Sequence, residues 1–321
     1  MSRARVEREL DLLRPVAVWR SQDLLDGSPA ESLTIILRTV GCRWNRCTMC
    51  GYAGEGAPAS AADLIAQFEC AMERSSPDVS VVKIYTSGSF LDPDEMPLKA
   101  RDEILKRLAD LGIKKLVIET RPEYVTAQTV EICLTSLPTE FAIGLETASD
   151  LIRENAIRKG FSFQDFADAS EIVHRQGGLV KAYLLLKPPL LTEGQAMRDA
   201  IASARVARSY ADVLSLNLCN VQRNTAVERM WEKGEYRPPW LWSALEVLKS
   251  VPGPIVCDPV GAGTRRGPHN CGVCDDGVAE AIRKHALAQD VGLFQSLDCP
   301  CKSTWRELME TEEQSFGTPL F

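Results

Sequence analysis

Three cysteines, Cys42, Cys47 and Cys50, stand within Gly41-Cys-Arg-Trp-Asn-Arg-Cys-Thr-Met-Cys-Gly51. A thiolate ligates metal, and thiols crowded between two glycines are poorly suited to core packing. Three thiolates can each hold one iron of a [4Fe–4S] cluster, which leaves the fourth iron open to bind a small molecule directly. The Cys-x-x-Cys half suits zinc equally well, so a zinc knuckle is the alternative.

A second thiol group follows late in the chain: His269-x-Cys271-x-x-Cys274, then Asp298-Cys299-x-Cys301. Two thiolate pairs separated by a helix-length stretch predict structural zinc on Cys271, Cys274, Cys299 and Cys301. His269 competes for one of the four places, and an auxiliary iron–sulfur cluster also fits. Such a metal would fasten a small unit that buries little apolar surface. Arg265 and Arg266, just before it, are candidates to face substrate phosphates. The chain has eleven cysteines and begins with a charged segment lacking an apolar stretch, which points to metal rather than disulfides and to a cytoplasmic setting.

Positioning the first cysteines requires a rigid frame. Leu33–Val40 reads as a buried parallel strand, so the cysteines follow its C-terminal end. Five more strand patterns alternate with helical ones: 79–85, 115–119, 140–146, 179–186 and 213–217. Six βα units in order predict a parallel sheet with right-handed crossovers, curled into a partial (β/α)6 barrel of TIM type. Barrels of this kind build their sites at the C-terminal ends of the strands. There the sequence places Thr86-Ser-Gly-Ser89, where Gly88 lets backbone approach a ligand, and Glu119, Arg121 and Glu146. Acidic groups there can bind ribose hydroxyls, and an arginine can pair with a carboxylate. Lys181 and Lys187 on the fifth strand and Asn217 on the sixth reach the same mouth if they face inward. A buried lysine needs a partner, so either would meet a cofactor or substrate carboxylate.

The βα rhythm breaks after about residue 220, where Trp231, Trp240 and Trp242 cluster with prolines. This divides the chain into an N-terminal extension (1–32), the barrel (33–220) and a C-terminal domain with the second thiol group (221–321). Apolar residues make up 45% and charged residues 25% of the 321, as in ordinary soluble proteins. No apolar run is long enough to span a membrane. A net charge of −7 argues against a broadly basic nucleic-acid surface, though not against a local patch. With three histidines, a histidine-based nucleophile relay is not expected.

These features resemble the radical S-adenosylmethionine superfamily over residues 33 to 220. The resemblance implies a [4Fe–4S] cluster on Cys42, Cys47 and Cys50, with S-adenosylmethionine chelated to the open iron. It implies contact of Ser87, Gly88 and Ser89 with the methionyl amino group and of Met49, at a usually aromatic position, with adenine. Four residues, not the family's usual three, separate the first two cysteines. Ile118-Glu-Thr-Arg-Pro-Glu-Tyr124, Gly144-Leu-Glu-Thr-Ala-Ser149 and Arg158-Lys-Gly-Phe161 are similar to the elongator catalytic subunit, which brings Arg158 into the cofactor set. Gly41–Tyr52, Tyr85–Phe90, Leu216–Gln222, Tyr236–Trp242 and Gly263–Gly272 resemble the archaeosine-biosynthesis radical enzyme family nearly end to end.

That resemblance implies C–N cleavage in a tRNA bearing a lysine-modified 7-cyano-7-deazaguanine. It also implies an electron donor and a lysine-transferring partner, archaeosine synthase, that does much of the tRNA binding. Two other readings remain at this stage: radical chemistry on a small molecule, which the acidic charge favours, and a non-enzymatic metal-binding RNA adaptor.

Overall fold

The computed structural model describes residues 11–315, so the first ten residues of the N-terminal extension lie outside the described part. Strands β1 (Ala17–Leu25) and β2 (Ser28–Ile36) form an antiparallel hairpin. Its turn is Asp26-Gly27, both at positive φ (51° and 77°), as a tight two-residue hairpin turn requires. From β2 the sheet continues in parallel through β3 (Val81–Tyr85), β4 (Lys115–Thr120), β5 (Thr139–Glu146), β6 (Leu179–Leu186), β7 (Val213–Leu218) and β8 (Ile255–Val256). All eight strands lie in one sheet in chain order, a partial TIM-type barrel.

The six expected parallel strands are present, with β1 and β8 added at the edges. β1 lacks a clear strand pattern because its apolar residues sit at its two ends around a polar middle, residues 20–23, and it is mostly half-exposed, as at a sheet edge. The first expected strand ends at Ile36 rather than Val40, where the chain turns toward the cysteines.

Helices α1 (Ala61–Met72), α2 (Leu98–Asp110), α3 (Ala127–Ser136), α5 (Phe163–Arg175) and α6 (Glu193–Ala207) alternate with the strands. Between α3 and α5, the single turn α4 (Asp150–Ile152) runs into a π-helical turn at Arg153–Ile157. Ser60, Thr126, Ser162 and Thr192 start α1, α3, α5 and α6 with reciprocal capping boxes. Strand alternation sorts the side chains. Val82, Ile84, Leu116, Ile118, Phe141 and Ile143 enter the main core under the helices. Val81, Val117 and Ala142 turn into the barrel, beside Tyr85 and Tyr183.

Ionic pairs close the barrel's N-terminal end. Lys181 Nζ lies 2.5 Å from Glu140 Oε1, and Lys115 Nζ lies 3.5 Å from Glu140 Oε2. Lys83 Nζ meets Asp23 of β1 at 2.7 Å. Burial alone would raise the Asp23 carboxyl, but Lys181 and Lys83 overcome it and hold the group down at about 2. The hairpin is therefore the floor of the barrel. This corrects the expected place of Lys181. It faces inward, but from the start of β6, so its partner is Glu140 and not a cofactor at the mouth. Lys187 also leaves the mouth, at φ 61°, and pairs with buried Glu193 at 2.6 Å.

After β7 come α7 (Ala226–Glu232), α8 (Leu241–Ser250), α9 (Asp275–Ala288) and α10 (Cys301–Ser315). The main core runs on without a gap into Trp240, Trp242, Ile282, Phe294 and Trp305. Glu193 at the start of α6 accepts from Trp240 N (2.9 Å) and Ser243 Oγ (2.5 Å), while Trp305 Nε1 donates to Ser243 Oγ at 2.9 Å. No described helix is long and apolar enough to cross a membrane. Glu140→Gln removes the carboxylate that pairs with Lys181 and Lys115 and leaves Asp23 alone to face three lysines, and we expect a loss of about 3–5 kcal/mol in urea unfolding.

Candidate active site

The cysteine loop leaves β2 at the C-terminal mouth of the barrel, and all three of its thiols are half-buried. Neighbouring elements fix it from two sides. Thr48 N donates to Ile157 O at 2.9 Å, and Thr48 Oγ1 donates to Ala156 O at 2.6 Å. Those carbonyls end the π turn, where Arg158 takes a left-handed φ of 60° and intrahelical donors run out. On the other side Ala226 N, the first residue of α7, donates to Thr48 O at 3.0 Å, and Gly51 N donates to Gln222 Oε1 at 2.6 Å. Trp44 Nε1 donates to Arg158 O at 2.7 Å, and its ring lies where a side chain on Gly160 would stand.

The segment after β3 is pressed onto the first cysteine. A Cβ on Gly88 would lie 2.9 Å from both Cα and Cβ of Cys42 and 2.7 Å from Glu95 Oε2. Glu95 makes this approach possible. Its Oε1 accepts from Gly88 N (2.9 Å) and Thr39 Oγ1 (2.7 Å), and its Oε2 accepts from Ser89 N (2.6 Å). Burial pushes its carboxyl upward, while the donated hydrogen bonds pull the other way. Ser89 Oγ and Thr120 Oγ1 lie 2.7 Å apart and anchor the segment to β4. Glu95 was not foreseen from the sequence. It sits in an irregular stretch beside Asp92 and Asp94, and no local pattern marks it.

Charge inside the mouth centres on Lys159 and Glu146. They pair at 2.6 Å, over Gly144, where a Cβ would sit 2.6 Å from Lys159 Nζ. Glu146 ends β5 at φ 65°, beside a register shift against β6. Burial raises the Cys47 thiol to about 11 and also raises Cys50, whereas Lys159 opposes both shifts. Burial lifts Glu119 to about 7, although a hydrogen bond from Tyr183 favours its charge. Lys159 was also missed. It lies in the Arg158–Phe161 motif, but the sequence does not show which of the two cations turns inward.

The other expected contacts are dispersed. Arg158 is exposed, and it is its carbonyl that serves the loop. Arg121 pairs with Glu123 at 2.5 Å, donates to Lys159 O at 3.1 Å and lies over the Trp44 and Phe161 rings, so it braces the loop. Met49 packs on Leu185, Cys219, Val221, Val227 and Tyr236. Asn217 is half-buried on β7, in register with Leu185.

Among the described residues, the Sγ atoms of Cys271, Cys274, Cys299 and Cys301 gather within 4.8 Å of one another and could hold a metal ion. In the late group Trp242 Nε1 and Asn270 Nδ2 donate to Cys301 and Cys274 sulfurs, both at 3.3 Å. Asp275 accepts from Asn270 N and Gly272 N at 2.8 Å each and shapes the turn. Amides of Val273 and Cys274 lower the Cys271 thiol to about 7, which favours a metal-ready thiolate. His269 lies outside the four, with Nδ1 2.8 Å from Gly267 O.

A partial barrel with a three-cysteine loop at its C-terminal mouth is the frame that the resemblance to radical S-adenosylmethionine enzymes implied. The fold is shared with archaeal Elp3 of Methanocaldococcus infernus, at 17% identity and a TM-score of 0.52, over 73% of this chain and 59% of that one. No family model matches the chain. It is 48% identical to archaeosine synthase subunit beta of Methanosarcina acetivorans, over 95% of this chain and 93% of that protein. It is 40% identical to archaeosine synthase subunit beta of Thermococcus kodakarensis, over 91% of this chain and 96% of that protein. The chain belongs to the archaeosine synthase subunit beta family.

Gly88→Ala forces Cys42 or Glu95 to move. We expect it to lower the iron retained after anaerobic reconstitution severalfold and to leave zinc content unchanged, as read by metal analysis.

Proposed function

We propose that this chain is the radical-generating subunit of a tRNA-modifying enzyme that completes archaeosine. The observation that carries this reading is the seat of Cys42 against the Gly88 backbone at the mouth of the barrel, in a chain related end to end to two archaeosine synthase beta subunits. A [4Fe–4S] cluster on Cys42, Cys47 and Cys50, with S-adenosylmethionine and one electron from an external donor, would supply a 5′-deoxyadenosyl radical.

The protein's part is to bind, orient and exclude water. Ser87, Gly88 and Ser89 form the backbone edge nearest Cys42, and Glu95 holds that edge in place. Glu119 and Glu146 offer carboxylates for the cofactor's hydroxyl and ammonium groups. Lys159 keeps a cation beside Cys47, which offsets the charge of ionised thiolates. Met49 packs the cysteine loop against the cluster that includes Leu185, Asn217 lies in register with Leu185, and Arg121 and Arg158 support the loop.

The substrate is a tRNA whose 7-cyano-7-deazaguanine carries a lysine in amidine linkage. Loss of a hydrogen atom from the lysine carbon beside the linking nitrogen, return of one electron from that carbon radical to the oxidised cluster, and addition of water to the resulting iminium carbon would break the C–N bond, releasing the lysine arm as an aldehyde and leaving the amidine base. The lysine is installed by a partner subunit, a need that the relatives' designation as beta subunits supports.

The late thiols fit zinc. Tetrahedral Zn–S bonds of about 2.3 Å place sulfurs about 3.8 Å apart. The Cys271–Cys274, Cys271–Cys299 and Cys274–Cys301 separations are 3.9, 3.7 and 3.7 Å. The hydrogen bonds from Trp242 and Asn270 complete an outer shell that orients the ligands.

Anaerobic incubation with S-adenosylmethionine, dithionite and lysine-adduct tRNA should yield 5′-deoxyadenosine together with archaeosine. Cys47→Ala should abolish both products and His269→Ala should retain them. An iron-free protein with zinc in the first loop would overturn the reading. Separately, metal analysis should find one zinc per chain. Cys274→Ser should lose it and lower the melting temperature while iron content holds; iron at the late site would refute the zinc assignment.

A further inference from the structure

Three arginines ring the cysteine loop outside any ion pair. Arg46 lies inside the loop, next to Cys47, exposed, with its guanidinium 5.3 Å from the Trp44 ring centroid. Arg223 is exposed on the opposite rim, where its carbonyl would lie 2.7 Å from a Cβ on Gly51. Arg265 is exposed beyond it, 5.9 Å from the centroid of Trp231 in α7, the helix whose first amide holds Thr48.

Among the described residues, none of the three has a carboxylate at ion-pairing distance. Their neighbours differ. Arg43 closes on Asp92 at 2.9 Å and Asp94 at 2.6 Å, and Arg266 pairs with Glu228. In a chain of net charge −7, the mouth thus keeps three guanidinium groups outside ion pairs, two of them steadied against indole rings and Arg223 near enough to Glu228 to lower its carboxyl. Planar, permanently charged guanidinium groups match phosphate oxygens.

A base on a polynucleotide must leave its stack to enter the barrel, which brings the flanking phosphates onto this rim. We propose that Arg46, Arg223 and Arg265 grip the sugar-phosphate backbone on either side of the modified nucleotide, so that this subunit holds RNA itself at the mouth. The inference rests on the tRNA reading above; it keeps Arg265 of the two arginines expected to face phosphates, drops Arg266, which pairs with Glu228, and adds Arg46 and Arg223. Paired acidic neighbours confine the contact to the rim and keep the rest of the surface repulsive to RNA. Register on the strand is then set where the reacting carbon must be placed.

The test is tRNA affinity of the reconstituted full-length chain, by fluorescence anisotropy over a salt series, with no need for turnover. Combining Arg46→Gln, Arg223→Gln and Arg265→Gln should weaken binding at least about tenfold. It should also reduce the slope of log Kd against log salt by about two to three, near one for each phosphate that is no longer neutralised. The matching triple Arg→Lys variant keeps the charges and should restore most of the slope, which separates charge from folding. An unchanged slope in the Gln variant overturns the proposal. So does a loss of partner-subunit association with tRNA affinity intact, which would make the rim a protein-docking face. If the rim behaves as expected but lysine-adduct tRNA yields no 5′-deoxyadenosine with the unaltered chain, the C–N cleavage reading fails and the rim stands.

Discussion

The contact of Gly88 with Cys42 is the constraint on which the site depends. Backbone can lie this close only where no side chain intervenes, and only if its amides are satisfied. Glu95 meets both conditions by accepting from Gly88, Ser89 and Thr39 at once. One buried carboxylate therefore joins the loop after β3 to the approach of the cysteine loop. Burial disfavours its charge, and three donors offset that cost.

The barrel separates its charges by depth. At the floor, Lys83, Lys115 and Lys181 are neutralised by Asp23 and Glu140 and closed off by the β1–β2 hairpin. At the mouth, Lys159 and Glu146 form one pair beside the thiols, while Glu119 between the two levels is held near neutrality. The cysteine loop and its arginine rim stand at the end opposite the floor, at the C-terminal mouth of the barrel.

The C-terminal metal-capable knot is not an appendage in packing terms. Trp242 donates to Cys301, Trp305 donates to Ser243, and Ser243 and Trp240 donate to Glu193, which pairs with Lys187 at the end of β6. A continuous line of buried polar contacts thus links the four thiols to a strand that forms the mouth. Tyr236 strengthens it by donating to Lys187 O at 2.8 Å. The knot so braces the wall opposite the cysteine loop.

What the sequence by itself determined was periodic or tightly local. Alternating strand and helix patterns carried the barrel, and close cysteine spacing carried both thiol groups, because each signal is complete within a few residues. Glycine at 88 was legible for the same reason. Tertiary structure decided the pairings. The place of Lys181 near the start of the 179–186 strand was open to reading, but its partner Glu140 on the neighbouring strand is a tertiary pairing. Whether Arg158 or Lys159 turned inward depended on a π turn that shifts the helical phase. Glu95 meets Thr39 and Gln222 meets Gly51 from far along the chain, and a partner's distance in space is not written in local composition.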